Sequence, residues 1–383
     1  MHDFDFASTA KVVCRPGAAA DLARFCRELG MQRPMLVTDA ALLATGLVDA
    51  VIAGLDRAGL PVLVYSDVQP DPPEAVVSSC ADKAREHAID GVIGFGGGSS
   101  LDVAKLIAVL AAADGSVADY FGIEQIAGER LPLILVPTTA GTGSEVTPIS
   151  IITTGEHTKA GVVSSKLLPD LALLDVELTL GLPPAVTAAT GIDAMVHAIE
   201  AFTSVQRKNV YSDMLAVKAL QLLSANLVEA VRNGGNREAR SGMLLGAMMA
   251  GQAFANAPVA AVHALAYPLG GHFHVSHGLS NSLVLPHVLR FNAPQAASLY
   301  AELLPGIGGV GSGDVEADCA AFIVRMEGFI SATALPRRLR DVGVGEADLP
   351  MLAADAMLQQ RLLVNNPRPV AEADALAIYR SAY

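Results

Sequence analysis

Asp193 and His197 lie four residues apart in Gly191-Ile-Asp-Ala-Met-Val-His-Ala-Ile-Glu200, a segment with helical apolar spacing. Positions i and i+4 share a helix face, so one carboxylate and one imidazole can reach a common point. An aspartate in an otherwise apolar helix needs a partner to offset its desolvation. His263 sits in a second helical run, Ala260 to Ala266, and His277 follows after Gly270-Gly271. That glycine pair is expected to break the helix and let His277 fold back. One carboxylate and three neutral imidazoles suit a divalent cation and leave positions where an alcohol oxygen could bind. Such an ion is a Lewis acid: it lowers the alcohol's pKa and favours loss of hydride. A lone buried histidine is more often a core residue than a ligand, and His272, His274 and His287 are read that way.

The stretch from Ser241 to Leu289 contains no Asp, Glu, Lys or Arg, yet holds five of the chain's nine histidines. Fixed charge is absent where desolvation is costly, so this is core. Gln252, Asn256, Pro258, Pro268, Gly270 and Gly271 interrupt it, and no clean apolar run of about twenty residues emerges for a membrane span.

A second set of residues suits a dinucleotide. Gly96, Gly97 and Gly98 follow a strand-like run and precede a helix starting near Ser99 or Ser100. Glycines allow close backbone approach, and the helix N-terminus favours a pyrophosphate. The competing reading is a tight turn with a serine cap. The spacing departs from G-x-G-x-x-G, since Ser99 stands where its last glycine would be. Asp39 ends an earlier strand, where a carboxylate can bind both ribose hydroxyls and repel a 2′-phosphate, favouring NAD over NADP. A helix-capping aspartate is the alternative. Thr138, Thr139 and Gly141 to Ser144 form a second polar turn for the remaining phosphate or ribose, and Lys159 could supply a cation.

Strand-like runs at 34–39, 62–65, 91–95 and 131–137 alternate with helix-like segments such as 74–87, the pattern of a parallel sheet wrapped by helices. From about Leu180 the texture changes to Ala-, Leu- and Met-rich helical segments at 184–203, 212–233 and 238–257. Gly181-Leu-Pro-Pro184 marks the boundary. The expected division is an α/β NAD-binding domain at 1–181 and an all-helical metal-binding domain at 182–383. Pro305 to Asp314 reads as a loop between helices. The 383 residues carry a net charge of −13, with 52% hydrophobic and 17% charged side chains. This argues against a disordered chain and against nucleic acid or an anionic membrane as partner. Four scattered cysteines without a C-x-x-C pair, and an N-terminus without a signal-peptide pattern, point to the cytoplasm.

Five separated motifs resemble the group III, iron-dependent alcohol dehydrogenases in that family's order. They are the Gly96 to Lys105 turn and helix, the Pro137 to Glu145 loop, the Gly191 to Glu200 helix, His263-Ala-Leu-Ala-Tyr-Pro-Leu-Gly-Gly with His277-Gly, and Asn366-Pro-Arg-Pro369. The resemblance spans essentially the whole chain. It implies an N-terminal dinucleotide domain, an all-helical C-terminal domain and a metal in the cleft between them. It places Asp193, His197, His263 and His277 at the ligand positions for Fe²⁺, or alternatively Zn²⁺. Asp39, Gly97, Gly98, Ser99, Asp102, Thr138, Thr139 and Lys159 match cofactor-contacting positions. Phe254 matches a position that walls the substrate pocket, and dimers or larger homo-oligomers are common in the family. One departure is Tyr267, where many members carry a second histidine that helps move protons. A phenol, which ordinarily titrates at a pH of about 10, is a poor proton acceptor near neutrality.

The expected activity is reversible hydride transfer between a small primary alcohol or aldehyde and NAD. Phe254, Pro148 and Ile149 suggest a weakly polar substrate. The rivals are a polyol or hydroxyacid dehydrogenase on the same scaffold, a metal- and NAD-dependent lyase of the dehydroquinate synthase type, and a non-catalytic metal-binding protein. The lyase needs basic residues for an acidic substrate, and the charge-free stretch argues against it.

Overall fold

The computed structural model describes residues 3–113, 115–155 and 158–383. They form two compact units. One is α/β and comprises Ala7–Thr139 and Ser144–Thr179; the other is helical and runs from Leu180 to Tyr383. Two stretches outside the expected 182–383 span group with the helices: Ala140–Gly143 and residues 3–6.

The α/β unit runs β1 (Val12–Cys14), α1 (Leu22–Glu28), β2 (Pro34–Asp39), α2 (Ala40–Ala44), α3 (Asp49–Arg57), β3 (Leu63–Val68), α4 (Glu74–Glu86), β4 (Gly91–Gly96) and α5 (Gly98–Leu110). It continues with β5 (Gly122–Ile123), β6 (Leu133–Pro137), β7 (Ile149–Thr154), β8 (Thr158–Val163) and β9 (Leu171–Leu174). The main sheet has the order β1-β9-β6-β4-β2-β3 and is parallel throughout; β5, β8 and β7 form a smaller sheet. Side chains alternate between the two faces of the main sheet. Met35, Val37, Val92, Leu133 and Leu135 enter one apolar cluster, while Leu36, Ile93, Phe95, Ile134 and Val136 enter the other. A strand buried on both faces reads as a continuous apolar run, which is why β4 and β6 are legible. The fourth expected strand starts two residues late, because the Leu131 N–H bonds the Ala108 carbonyl outside the ladder.

Register positions the three sequence motifs of this unit. Val37 pairs with Gly94, and Gly96 with Pro137. The Thr138 N–H donates to the Gly96 carbonyl at 2.9 Å. Asp39, the Gly96–Gly98 turn and Thr138-Thr139 therefore stand at the carboxyl ends of three adjacent parallel strands, where α/β sheets bind ligands. Gly96 has φ +150°, and a Cβ there would lie 2.8 Å from Ser100 Oγ, so the turn tolerates no side chain at that point.

The helical unit contains α6 (Pro184–Thr203), α7 (Val210–Arg232), α8 (Arg237–Asn256), α9 (Ala261–Phe273), α10 (His277–Leu303), α11 (Val315–Ala332), α12 (Leu349–Ala356), α13 (Gln360–Leu363) and α14 (Glu372–Ala382). Pro184 opens α6, where its fixed φ suits a first helical residue and its missing N–H costs nothing. The charge-free stretch lies in α8, α9 and the first half of α10, and is mostly buried. By length and composition α7 could cross a membrane, and α8 and α9 meet at a 106° bend. Gly270-Gly271 does not break the helix: α9 passes through both glycines and ends at His274, in the left-handed conformation (φ 54°). A glycine inside a packed helix costs only about 1 kcal/mol, so burial outweighs propensity. His277 is the first residue of α10, and the return toward His263 is made by the turn at 274–276. The expected loop from Pro305 begins with a 3₁₀ turn, Leu304–Ile307.

Candidate metal centre

Three helices contribute the polar core of the helical unit. On α6, Asp193, His197 and Glu200 follow at intervals of four and three, one face of a helix whose residues from Gly191 to Thr203 are all buried. His263 lies in the first turn of α9. His277 begins α10, and Asn281 lies one turn further along. Asp193, His197, His263 and His277 each present one donor atom, all within 4.8 Å of one another. From Asp193 Oδ1 the imidazole Nε2 atoms lie at 3.9 Å (His197), 3.8 Å (His263) and 3.5 Å (His277). Donors about 2.1 Å from a tetrahedral ion are separated by about 3.4 Å, so an ion of this size fits with small inward shifts. His277 keeps 39% of its side chain exposed, whereas His197 and His263 keep 5% and 3%.

The electrostatics favour a cation. Burial pushes the Asp193 carboxyl upward, but His197, His277, His263 and the Asn281 amide outweigh it and hold it below the usual carboxylate range. Burial drives His197 down to about 3, so its ring is neutral and has a lone pair to give. His197 Nδ1 is buried without a hydrogen-bond partner of good geometry, although the Gly141 backbone is close enough to favour the charged ring weakly. Asn281 Nδ2 donates to Asp193 Oδ1 at 2.6 Å and lies 3.3 Å from both His263 Nε2 and His277 Nε2. Its Oδ1 is buried with no partner. The amide's two hydrogens face three acceptor-type atoms, a surplus of lone pairs that a cation would relieve.

Two residues here escaped the sequence reading. Glu200 accepts from His263 Nδ1 and the Ala260 and Val262 N–H groups, at 2.7, 2.9 and 2.7 Å. Asn281 is the second. A second acid on the Asp193 face of an apolar helix was a usable signal for Glu200; Asn281 offered none.

Phe254 stacks on His197 with centroids 4.3 Å apart, and Tyr267 is tilted against His277 at 6.0 Å. His272 Nε2 is paired with Asp355, and His274 is the exposed cap of α9. Gly141 and Gly143 pack against helices: a Cβ would lie 2.5 Å from Thr190 Cβ and 2.5 Å from Gly251 Cα, respectively.

In the α/β unit, Asp39 Oδ1 accepts from the Leu42 N–H at 2.8 Å, capping α2. Gly97 is the N-cap of α5, and Gly98 begins the helix one residue ahead of Ser99. Asp102 faces inward: it accepts from Ser144 Oγ (2.5 Å) and the Ile151 N–H (2.9 Å), and lies 3.5 Å from Lys105 Nζ. Lys105, fully buried, also donates to Thr147 Oγ1 and the carbonyl of Ile149. Lys159 is paired with Asp71 at 2.5 Å and donates to Thr153 Oγ1, so its charge is already engaged within the unit.

A parallel sheet with a glycine turn at its strand ends, and a buried Asp/His₃ cluster among helices, are the parts of a metal-dependent dehydrogenase. Residues 9–176 match the family described as iron-containing alcohol dehydrogenase, and residues 187–383 match its C-terminal part. The chain is 44% identical over 387 residues to long-chain-alcohol dehydrogenase 1 of Geobacillus thermodenitrificans, covering 98% of this chain and 97% of that one. It is similar to the crystal structure of a 1,3-propanediol oxidoreductase (TM-score 0.96, 35% identity, 100% of both chains). It is also similar to sulfoacetaldehyde reductase from Bifidobacterium kashiwanohense in complex with NAD⁺ (TM-score 0.89, 30% identity, 100% and 99% covered). The chain belongs to the iron-containing alcohol dehydrogenase family and is an oxidoreductase of alcohols and aldehydes. The lyase and non-catalytic readings are not favoured.

Proposed function

We propose that this chain reversibly oxidises a small primary alcohol to its aldehyde with NAD, and that Asp193, His197, His263 and His277 hold the metal, Fe²⁺ or alternatively Zn²⁺. The observation that carries the reading is the meeting of four donor atoms within 4.8 Å of one another. When bound, the ion supplies Lewis acidity to the substrate oxygen. Phe254, stacked on His197, gives that side of the site an apolar wall. The amides at the start of α5 suit a pyrophosphate, and Asp39 suits the ribose through Oδ2. Gly96, Thr138 and Thr139 complete this set at the strand ends, with Asp102 behind them as a support. Ile149 is proposed as a substrate-contacting residue. Tyr267 can orient a proton-carrying group beside His277 and is ill suited to accept a proton itself. A cytoplasmic location is supported by the four unpaired cysteines. A homodimer or larger assembly is supported by the exposed apolar residues Val205, Val210, Tyr211 and Met214.

The test pairs metal analysis of anaerobically purified protein with an alcohol panel followed by NADH absorbance. One ion per chain and metal-dependent NADH formation are expected. Undiminished NADH formation by metal-stripped protein would remove the Lewis-acid role.

A further inference from the structure

The four metal-holding residues leave Glu200 without a role. Glu200 is 4% exposed, and among the described residues no lysine or arginine pairs with it. A buried carboxylate without a cationic partner is costly unless hydrogen bonds and a nearby charge offset it. Its hydrogen bonds divide in an informative way. Oε1 takes the Val262 N–H, and Oε2 takes both the Ala260 N–H and His263 Nδ1. The first two tie the start of α9 to α6. The third reaches the imidazole edge opposite the donor cluster.

We propose that Glu200 is a positioning residue for the metal site: it locks His263 in the Nδ1–H tautomer, so that Nε2 carries its lone pair toward Asp193. This rests on the metal-site reading above. An imidazole whose far N–H is held by a carboxylate is a more basic ligand of fixed orientation, and loss of such a partner costs metal affinity about 10–100-fold. Of the two buried histidines only His263 has such an anchor, since His197 Nδ1 has no carboxylate or well-placed acceptor beside it. His263 is therefore the ligand whose direction is set before the ion arrives.

The experiment uses the full chain loaded with Fe²⁺ or Zn²⁺ and follows loss of the ion to a chelator. Glu200→Gln should release the ion about 10–100-fold faster than the parent while the metal-free form melts close to the parent's temperature. Equal release rates would overturn the proposal. A lowered metal-free melting temperature with unchanged release would overturn it too, leaving Glu200 as a cap of α9. If the variant does not fold, ¹⁵N NMR of the parent's histidines decides. His263 protonated on Nδ1 and bare on Nε2 is expected, and the opposite tautomer would overturn the assignment. A parent chain that takes up neither ion would bring down the metal-site reading and this inference together, whereas equal retention by parent and variant removes this inference alone.

Discussion

Each unit of the molecule holds a neighbouring pair of carboxylates largely out of solvent, Asp102 with Glu145 and Asp193 with Glu200, and the two pairs are neutralised differently. In the α/β unit the Lys105 ammonium lies 3.5 Å from Asp102 and reaches Ser144, Thr147 and the Ile149 carbonyl, and Glu145 acts on it electrostatically. That cluster carries its own cation, so it holds α5 to the loop before β7 and needs nothing from outside. In the helical unit Asp193 and Glu200 face only histidines, backbone N–H groups and Asn281. The acceptors there outnumber the donors, and no fixed cation answers them among the described residues. The difference teaches how a binding centre can be told from a structural ion pair: one is complete as folded, the other is short of positive charge.

The widest separation between the two clusters should come from His263→Ala. Bound metal should fall to a small fraction of one ion per chain, and turnover should drop on the order of 10³-fold, measured by metal analysis and NADH formation. A fully active, metal-free His263→Ala would erase the contrast. Lys105→Met is the mirror experiment. Removing the internal cation leaves Asp102 uncompensated, with an expected loss of about 3–5 kcal/mol in urea unfolding. Metal per folded chain should stay at the parent's value, and a parallel loss of metal would show that the clusters are not independent. Asp39→Gly acts at the strand ends, where the use of NADP relative to NAD should rise on the order of tenfold. An unchanged ratio would take Asp39 out of the ribose site.

The last effect concerns Glu145. Burial raises its carboxyl from 4.5 to about 7. Between those values the unfolded chain has released the proton while the folded chain keeps it, so stability falls as pH rises through this window and levels off above it. Glu145→Gln should lack that slope, a difference of up to about 3 kcal/mol between melts at pH 4.5 and pH 8. Parallel pH profiles would mean that Lys105 keeps Glu145 ionised throughout.

Legibility in the sequence followed burial. β4 and β6 were visible because a doubly covered strand leaves an unbroken apolar run, and α6 because its acid and histidine share a face. β7 and β8 were not, since Ser150, Thr153, Thr154, Thr158 and Lys159 resemble loop composition and their pairing is non-local. The same limit hid Glu200, whose partners lie about sixty residues away and are mostly backbone groups. Gly270-Gly271 misled for the opposite reason, because local propensity was overruled by packing. Asp39 makes the helix cap with one oxygen, and the other takes no protein hydrogen bond among the described residues.

The exposure of His277 beside two enclosed histidines has a practical corollary. Traffic of ions to and from the cluster would pass this ring, so exchange would not require the helices to come apart. A small chelator could then strip the protein under conditions where it stays folded, and a bulky one would be slower at equal affinity. Reloading with a foreign ion would use the same doorway, which makes the protein a convenient host for cobalt or manganese as reporters.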